Sequence, residues 1–299
     1  MKIIRNERGS TYIITILAMT AILGFTALVT DVGLLLIKKV NLSNALDASV
    51  LAGIQELPSN SDKAIEVVKE YAQKNGVSPE NIEVYIQNDN TLLKAYAVDD
   101  VNFMFAKILG INQSQVSASS TAIVAPVTAV YDGIRPFVVE QQDFEYGQQV
   151  VLKEGAGDGY NGNYGAVALG GTGSNIFRNN VKYGYKGKLK VGDLIDTETG
   201  NMSGPTLEGI DFILQVDYST FDNFSRDSLR LWTIPVVDTL AVDGRKEVKV
   251  VGFAEFFVEG AVENNGKAEI IGRFIEFAVN GDISETQSDF GLKGVKLIE

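Results

Sequence analysis

The apolar residues of this chain are unevenly spread, and the densest run lies near the N-terminus. From Ser10 to Thr30 no residue carries a formal charge. As a helix, that run would span about 31 Å, close to the thickness of a bilayer's hydrocarbon core. Apolar positions continue past Asp31 through Val32, Gly33 and Leu34 to Ile37, before Lys38 and Lys39. Beyond them Leu42, Ala45, Leu46, Ser49, Ala52 and Gly53 recur at three- and four-residue spacing, until Pro58 and Ser59 interrupt the pattern. The pattern predicts a tail at 1–9, a transmembrane helix over 10–37, and an extension of that helix over 38–57 outside the membrane. The small residues Ala45, Ala48, Ala52 and Gly53 would let another helix or a sheet approach the extension closely.

Residues 58–127 read as a compact α+β unit. Asn60 or Ser61 caps a helix whose apolar face is Ala64, Val67, Val68, Tyr71 and Ala72, stopped at Gly76. IEVYIQ and TLLKAYAV alternate as two strands of a hairpin turned by Asn88-Asp89-Asn90, and QVSASSTAIVAP predicts a third strand. Between them Val101, Phe103, Phe105, Ile108 and Leu109 predict a short buried helix ended by Gly110, with Phe103, Met104 and Phe105 as core residues.

After Pro126 glycine, asparagine and aromatic residues increase, which sets a boundary and a β-rich domain over 128–299. RPFVVE, QQVVLK, YGAVAL, LRLWTIPVVDTL, EVKVVGFAEFFVEG and KAEIIGRFIEFAV predict strands of an antiparallel sheet, as a sandwich or barrel. Val242-Asp243-Gly244 and Asn264-Asn265-Gly266 predict the turns between the last three, and NIFRNNVKYGY and PTLEGIDFILQV predict inserted helices. The fold class is α+β: a long transmembrane helix continuing into a pilin-like unit, then a β-rich antiparallel domain.

Composition narrows the chemistry. The chain has no cysteine and no histidine, which excludes Ser–His–Asp and Cys–His hydrolase mechanisms and cysteine-based zinc sites. Its net charge of −12 is unevenly placed, because five of the 26 basic residues but only Glu7 and Asp31 among the 38 acidic ones precede residue 40. So acidic a body repels phosphate backbones, and nucleic acid is not expected as a partner. Lys2, Arg5 and Arg8 before the apolar run predict a cytoplasmic N-terminus, with the body outside the cytoplasmic membrane.

The N-terminal residues Arg8-Gly9, Asp31-Val32-Gly33, Asn44 and Asp47-Ala48-Ser49-Val50-Leu51-Ala52-Gly53 resemble the N-terminal domain of TadG-like proteins of the tight-adherence (Tad, Flp pilus) assembly system. The stretch from Asn163 to Thr206 is similar to C-terminal regions of TadG-like proteins of Gram-positive bacteria. The resemblance implies a non-enzymatic component of a pilus or secretion assembly. Its partners would be membrane lipid through 10–37 and other assembly proteins or a second copy, with no cofactor. It sets Asp31, Gly33, Ala45, Asp47, Ala48, Ala52 and Gly53 as the expected helix-packing and assembly positions. Were Gly9 a prepilin cleavage glycine, the fifth mature residue would be Ile14 rather than glutamate, so the helix is expected to stay as an anchor.

Other motifs are weaker. GAGDGYNGNYG and GGTGSN lack the Gly-Lys-Ser/Thr of a phosphate loop, and Asp158, Asn161 and Asn163 lack EF-hand spacing. Asp217-Tyr218-Ser219 begins like a metal-adhesion site, but Phe221 stands where the second serine is needed. Asp193, Asp196 and Glu198 are expected to be solvated loop charges, although a cell-wall hydrolase would use such a pair. A surface binding module would draw on Trp232 and the tyrosines.

Overall fold

The structure, a computed structural model, describes residues 8–154, 163–198, 200–241, 246–279 and 281–298. It divides into two compact units, one holding the chain up to Ile54 with Asn60–Ala122, the other Gln55–Ser59 with Ile123–Lys296.

The first unit is organised by α1 (Arg8–Gly53), one unbroken helix of 46 residues. Its lower part presents apolar side chains on every side, with Phe25 69% and Val29 70% exposed. A helix apolar all round needs an apolar surrounding, and this one is long and apolar enough to cross a membrane. Its threonines are already satisfied within the helix. The hydroxyls of Thr15, Thr20, Thr26 and Thr30 donate to the carbonyls of Thr11, Ile16, Ile22 and Thr26 at 2.8–2.9 Å, so no hydroxyl of this set requires water.

Above Lys39 the same helix becomes one-sided. Leu42, Ala45, Leu46, Ser49, Val50 and Gly53 are buried, where α1 packs on α2 (Ser61–Lys74) and on the second of three strands, β1 (Ile82–Gln87), β2 (Leu92–Asn102) and β3 (Gln113–Pro126). The facing residues are also small: Ala64, Val68 and Ala72 of α2, and Ala95 and Ala97 of β2. A Cβ on Gly53 would lie 2.8 Å from the Ala64 carbonyl oxygen and would overlap Val68. Asn60 is the N-cap of α2, its side chain accepting from the Lys63 amide at 2.9 Å, and Gly76 leaves the helix at φ +80°. Tyr71, expected on the buried face, is 41% exposed, because Ala64, Val68 and Ala72 already fill the seam. β1 and β2 form the antiparallel hairpin, turned by Asn88, Asp89 and Asn90 at φ 51–64°, a conformation these short polar residues tolerate. β3 lies beside β2.

The expected buried helix at 101–110 is not there. A single 3-10 turn occupies Ala106–Leu109; Val101 and Phe103 are buried, while Met104 is 63% and Ile108 85% exposed.

The second unit contains β4 (Ala129–Tyr131), β5 (Phe137–Glu140), β6 (Gln149–Glu154), β7 (Asn163–Ala166), α3 (Ser174–Tyr183), β8 (Lys188–Lys190) and β9 (Leu194–Asp196). It continues through α4 (Ser203–Val216), β10 (Leu231–Val237), β11 (Glu247–Asn264), β12 (Lys267–Ile275), β13 (Phe277–Val279) and β14 (Leu292–Ile298). The main sheet runs β10-β5-β7-β6-β12-β11-β9, and β11 also pairs with β10, so six strands form a closed hydrogen-bonded circuit. Most pairings are antiparallel, but β5 with β10 and β6 with β7 are parallel. The β11–β12 turn has Asn265 at φ 52° and Gly266 at φ 73°, as a tight hairpin requires. The other expected turn, Val242-Asp243-Gly244, lies outside the described residues. Short β4, β8 and β9 carry too few residues for their alternation to stand out in the sequence.

Alternate strand residues feed two clusters. Phe137 and Val139 join Trp232, Phe256, Phe274 and the helix residues Phe177, Val181, Ile210 and Ile213, whereas Val138 joins Val237, Val250 and Phe253. Phe137 stacks on Trp232 at 5.1 Å between ring centroids. Two charges are buried beside them. Arg135 donates to the carbonyls of Val181 at 2.8 Å and Leu229 at 3.2 Å, and its guanidinium lies over Trp232. Glu255 accepts from the Thr233 hydroxyl at 2.7 Å. Burial pushes Glu255 up to about 7, against the opposing pull of that hydroxyl and of Arg135.

Gly53→Val should destabilise the first unit by about 1–3 kcal/mol, because the Ala64 backbone cannot move aside cheaply; thermal unfolding of the full chain in detergent measures it. Glu255 follows a definite sign. Its folded value lies above the ordinary 4.5, so its contribution to stability is full below that value and is lost as pH rises through about 7. The second unit's melting temperature should therefore fall between about pH 5 and pH 8 relative to that of Glu255→Gln. Parallel profiles for the two proteins would refute the assignment.

Candidate functional site on the long helix

The most specific geometry on α1 is at Asp31. Its side chain is 4% exposed, although it sits where the uncharged run ends. One carboxylate oxygen accepts from the Met104 amide at 2.8 Å, the other from the Ala106 amide at 2.7 Å, and both receive the Phe105 amide at 3.1–3.3 Å. Three successive N–H groups at the start of a turn have no partner within it. The carboxylate supplies that partner, and the amides supply the hydrogen bonds that a buried carboxylate needs. About two turns further along α1, Lys38 meets Asp99 at 2.7 Å. The helix and the 99–106 segment are thus joined twice, by charge-assisted contacts that flank Val32 to Ile37.

The remaining expected positions separate into two sets. Ala45 and Gly53 lie in the buried seam with Ser49, whose hydroxyl donates to the Ala45 carbonyl. Ala48 is exposed, and Asp47 and Ala52 are half-buried. A Cβ on Gly33 would touch nothing within 4 Å. The structure brings Asp31, Ala45 and Gly53 into packing within the chain, half-buries Gly33, Asp47 and Ala52, and leaves Ala48 exposed. Reading the sequence missed the amides of 104–106 as the partner of Asp31. The signal was the pairing of a costly carboxylate with an apolar loop that had no other reason to be near it.

Elsewhere the weaker motifs are consumed by local structure. Asp217 accepts from the amides of Ser219 and Leu229 and from the Ser228 hydroxyl at 2.7–2.9 Å, and these bonds hold its carboxyl well below the usual range despite burial. Asp193 accepts from the Lys190 amide and Glu198 from the Gly173 amide, both at 2.8 Å. Trp232 is 1% exposed, so it offers no platform to a glycan. Among the described residues no group of His, Cys, Asp or Glu could hold a metal ion; Asp158 and Asn161 lie outside them. A cleft in the second unit is lined by Asp143, Glu145, Phe144 and Phe274.

Asp31→Ala removes the acceptor of three amides, and the loss should be roughly 1.5–3 kcal/mol to the local contact. Hydrogen exchange at Met104 to Ala106 should accelerate in that variant while α2 stays protected. Unchanged exchange would mean that the carboxylate does not hold the loop.

Comparison with known proteins adds one finding. No curated protein and no solved structure matches the chain. Residues 9–56, which are α1 and the short turn that follows it, match the Tad family, described as "Putative Flp pilus-assembly TadE/G-like".

Proposed function

We propose that the chain is a non-enzymatic, single-pass component of a Tad-type pilus or surface-assembly system, acting through protein contacts outside the membrane. The observation that supports this most is the coincidence of the matched segment, 9–56, with a helix that is apolar all round below and packed on one face above. A free-standing membrane anchor has no use for the upper seam, and a soluble core helix has no use for the exposed lower half.

The domain division follows from that reading: a tail over 1–9, a span over 10–37, an extension over 38–57, a pilin-like unit over 58–127 and a β-rich body over 128–299. Lys2, Arg5 and Arg8 favour an N-terminus inside the cytoplasmic membrane and a body outside it. Lys38 stands on the opposite flank, but its pairing with Asp99 reduces its pull on orientation. Lipid surrounds 10–37. Gly33, Asp47, Ala48 and Ala52, which the chain's own packing leaves exposed or half-buried, are the positions offered to another assembly protein or a second copy.

A chain carrying a tag at each end should sediment with membranes. External protease on wall-stripped cells should remove the C-terminal tag and spare the N-terminal one. Protection of the C-terminal tag would overturn the orientation, and a shortened soluble chain would overturn the anchor.

A further inference from the structure

We infer that the loop over residues 103–111 is a second membrane contact, a shallow wedge that enters the interfacial layer of the same bilayer beside α1. The inference rests on the reading of α1 as a span and adds to it.

The loop exposes apolar side chains with no partner in their own unit. Ile108 is 85%, Met104 63% and Ile111 52% exposed, with Phe105 partly so. Scattered apolar residues on a surface need no explanation, but a contiguous apolar loop tip does. Its position is set by Asp31, whose carboxylate holds the amides of 104–106 at the end of the uncharged run. On α1, Ala27, Thr30, Asp31 and Leu34 share one face, with Asp31 buried and the others half-buried, while Leu28, Val29 and Val32 are exposed, so this face is covered at that level. Below it on the same face, Leu23 and Ile16 of α1 are exposed, so the loop stands at the upper end of the apolar run.

The backbone is also prepared for a poorly hydrated site. The Phe103 amide donates to Asn112, Ile108 to Phe105, Gly110 to Lys107 and Ile111 to Ala106, at 3.0–3.1 Å, and Asp31 takes the amides of 104–106. Such pairing is what a non-helical segment needs in order to approach hydrocarbon. Gly110 turns the chain back at φ +83°. Lys107 and Lys39 are exposed near this level, where long cationic chains reach headgroups. Continuity with the lipid-facing helix is what selects lipid over protein as the occupant.

The chain has no cysteine, so single spin labels can be placed in the full-length protein in liposomes of phosphatidylethanolamine and phosphatidylglycerol. Ile108→Cys probes the loop, Leu23→Cys the helix run, and Lys69→Cys the exposed face of α2. The oxygen-to-nickel-chelate collision ratio should be several-fold higher at 108 than at 69, approaching that at 23. If 23 reports lipid while 108 behaves like 69, the wedge is wrong and the anchor stands. Shielding of 108 from both reagents, growing with the protein-to-lipid ratio, would assign the loop to a protein contact and overturn the inference. An aqueous reading at 23 overturns the anchor and this inference together.

Discussion

Because α1 runs unbroken from Arg8 to Gly53, one helix must meet two different surroundings. Its lower turns face outward on all sides and need an apolar medium. Its upper turns bury one face and need a protein partner shaped to it. No kink, proline or turn separates the two regimes, so the change is made by side chains alone. Threonine hydroxyls fold back on the helix below, and small residues open the seam above. The close approach at Gly53, where even a methyl group would strike Ala64 and Val68, ties α2 to the upper end of α1. What the first unit does with that rigidity follows from the helix passing the position of its base directly to its head.

Asp31 is where the two regimes meet. An unpaired carboxylate at the edge of an apolar run would be costly. Here three amides of one turn receive it, and the same three amides would be orphans without it. The exchange explains two oddities at once: an acidic residue in an apolar helix, and a loop with exposed isoleucine and methionine held against that helix. Lys38 and Asp99 add a second tie. Both contacts fix geometry.

The second unit solves a different problem. Its strands close into a circuit, which removes most free edges from the central sheet, and its two clusters draw on alternate residues of the same strands. The buried Arg135 and Glu255 stand among aromatic rings, with carbonyls and a hydroxyl meeting much of their hydrogen-bonding demand. The carboxylates that looked like ligands, Asp217 and Glu198, are spent on turns. The Tad match covers residues 9–56, which are α1 and the turn after it and not the strands of this unit.

Much of this was legible in the residues. Uncharged length predicted the span, three- and four-residue spacing predicted its extension, and β-branched alternation with Asn265-Gly266 predicted the long C-terminal hairpin, because these features depend on near neighbours. Helices α3 and α4 were legible for the same reason. The Tad resemblance was carried by Asp31-Val32-Gly33 and the 47–53 stretch, which are also local. Tertiary structure alone decided which small residues face inward, putting Ser49 rather than Ala48 in the seam, since helical spacing leaves two neighbouring faces nearly equivalent until a partner chooses between them. It alone turned Met104, Ile108 and Ile111 outward, because a residue more than seventy positions earlier holds the amides of 104–106. The parallel pairings that close the sheet were equally invisible: strand partners separated by half a domain leave no periodic trace, and only the folded chain brings them together.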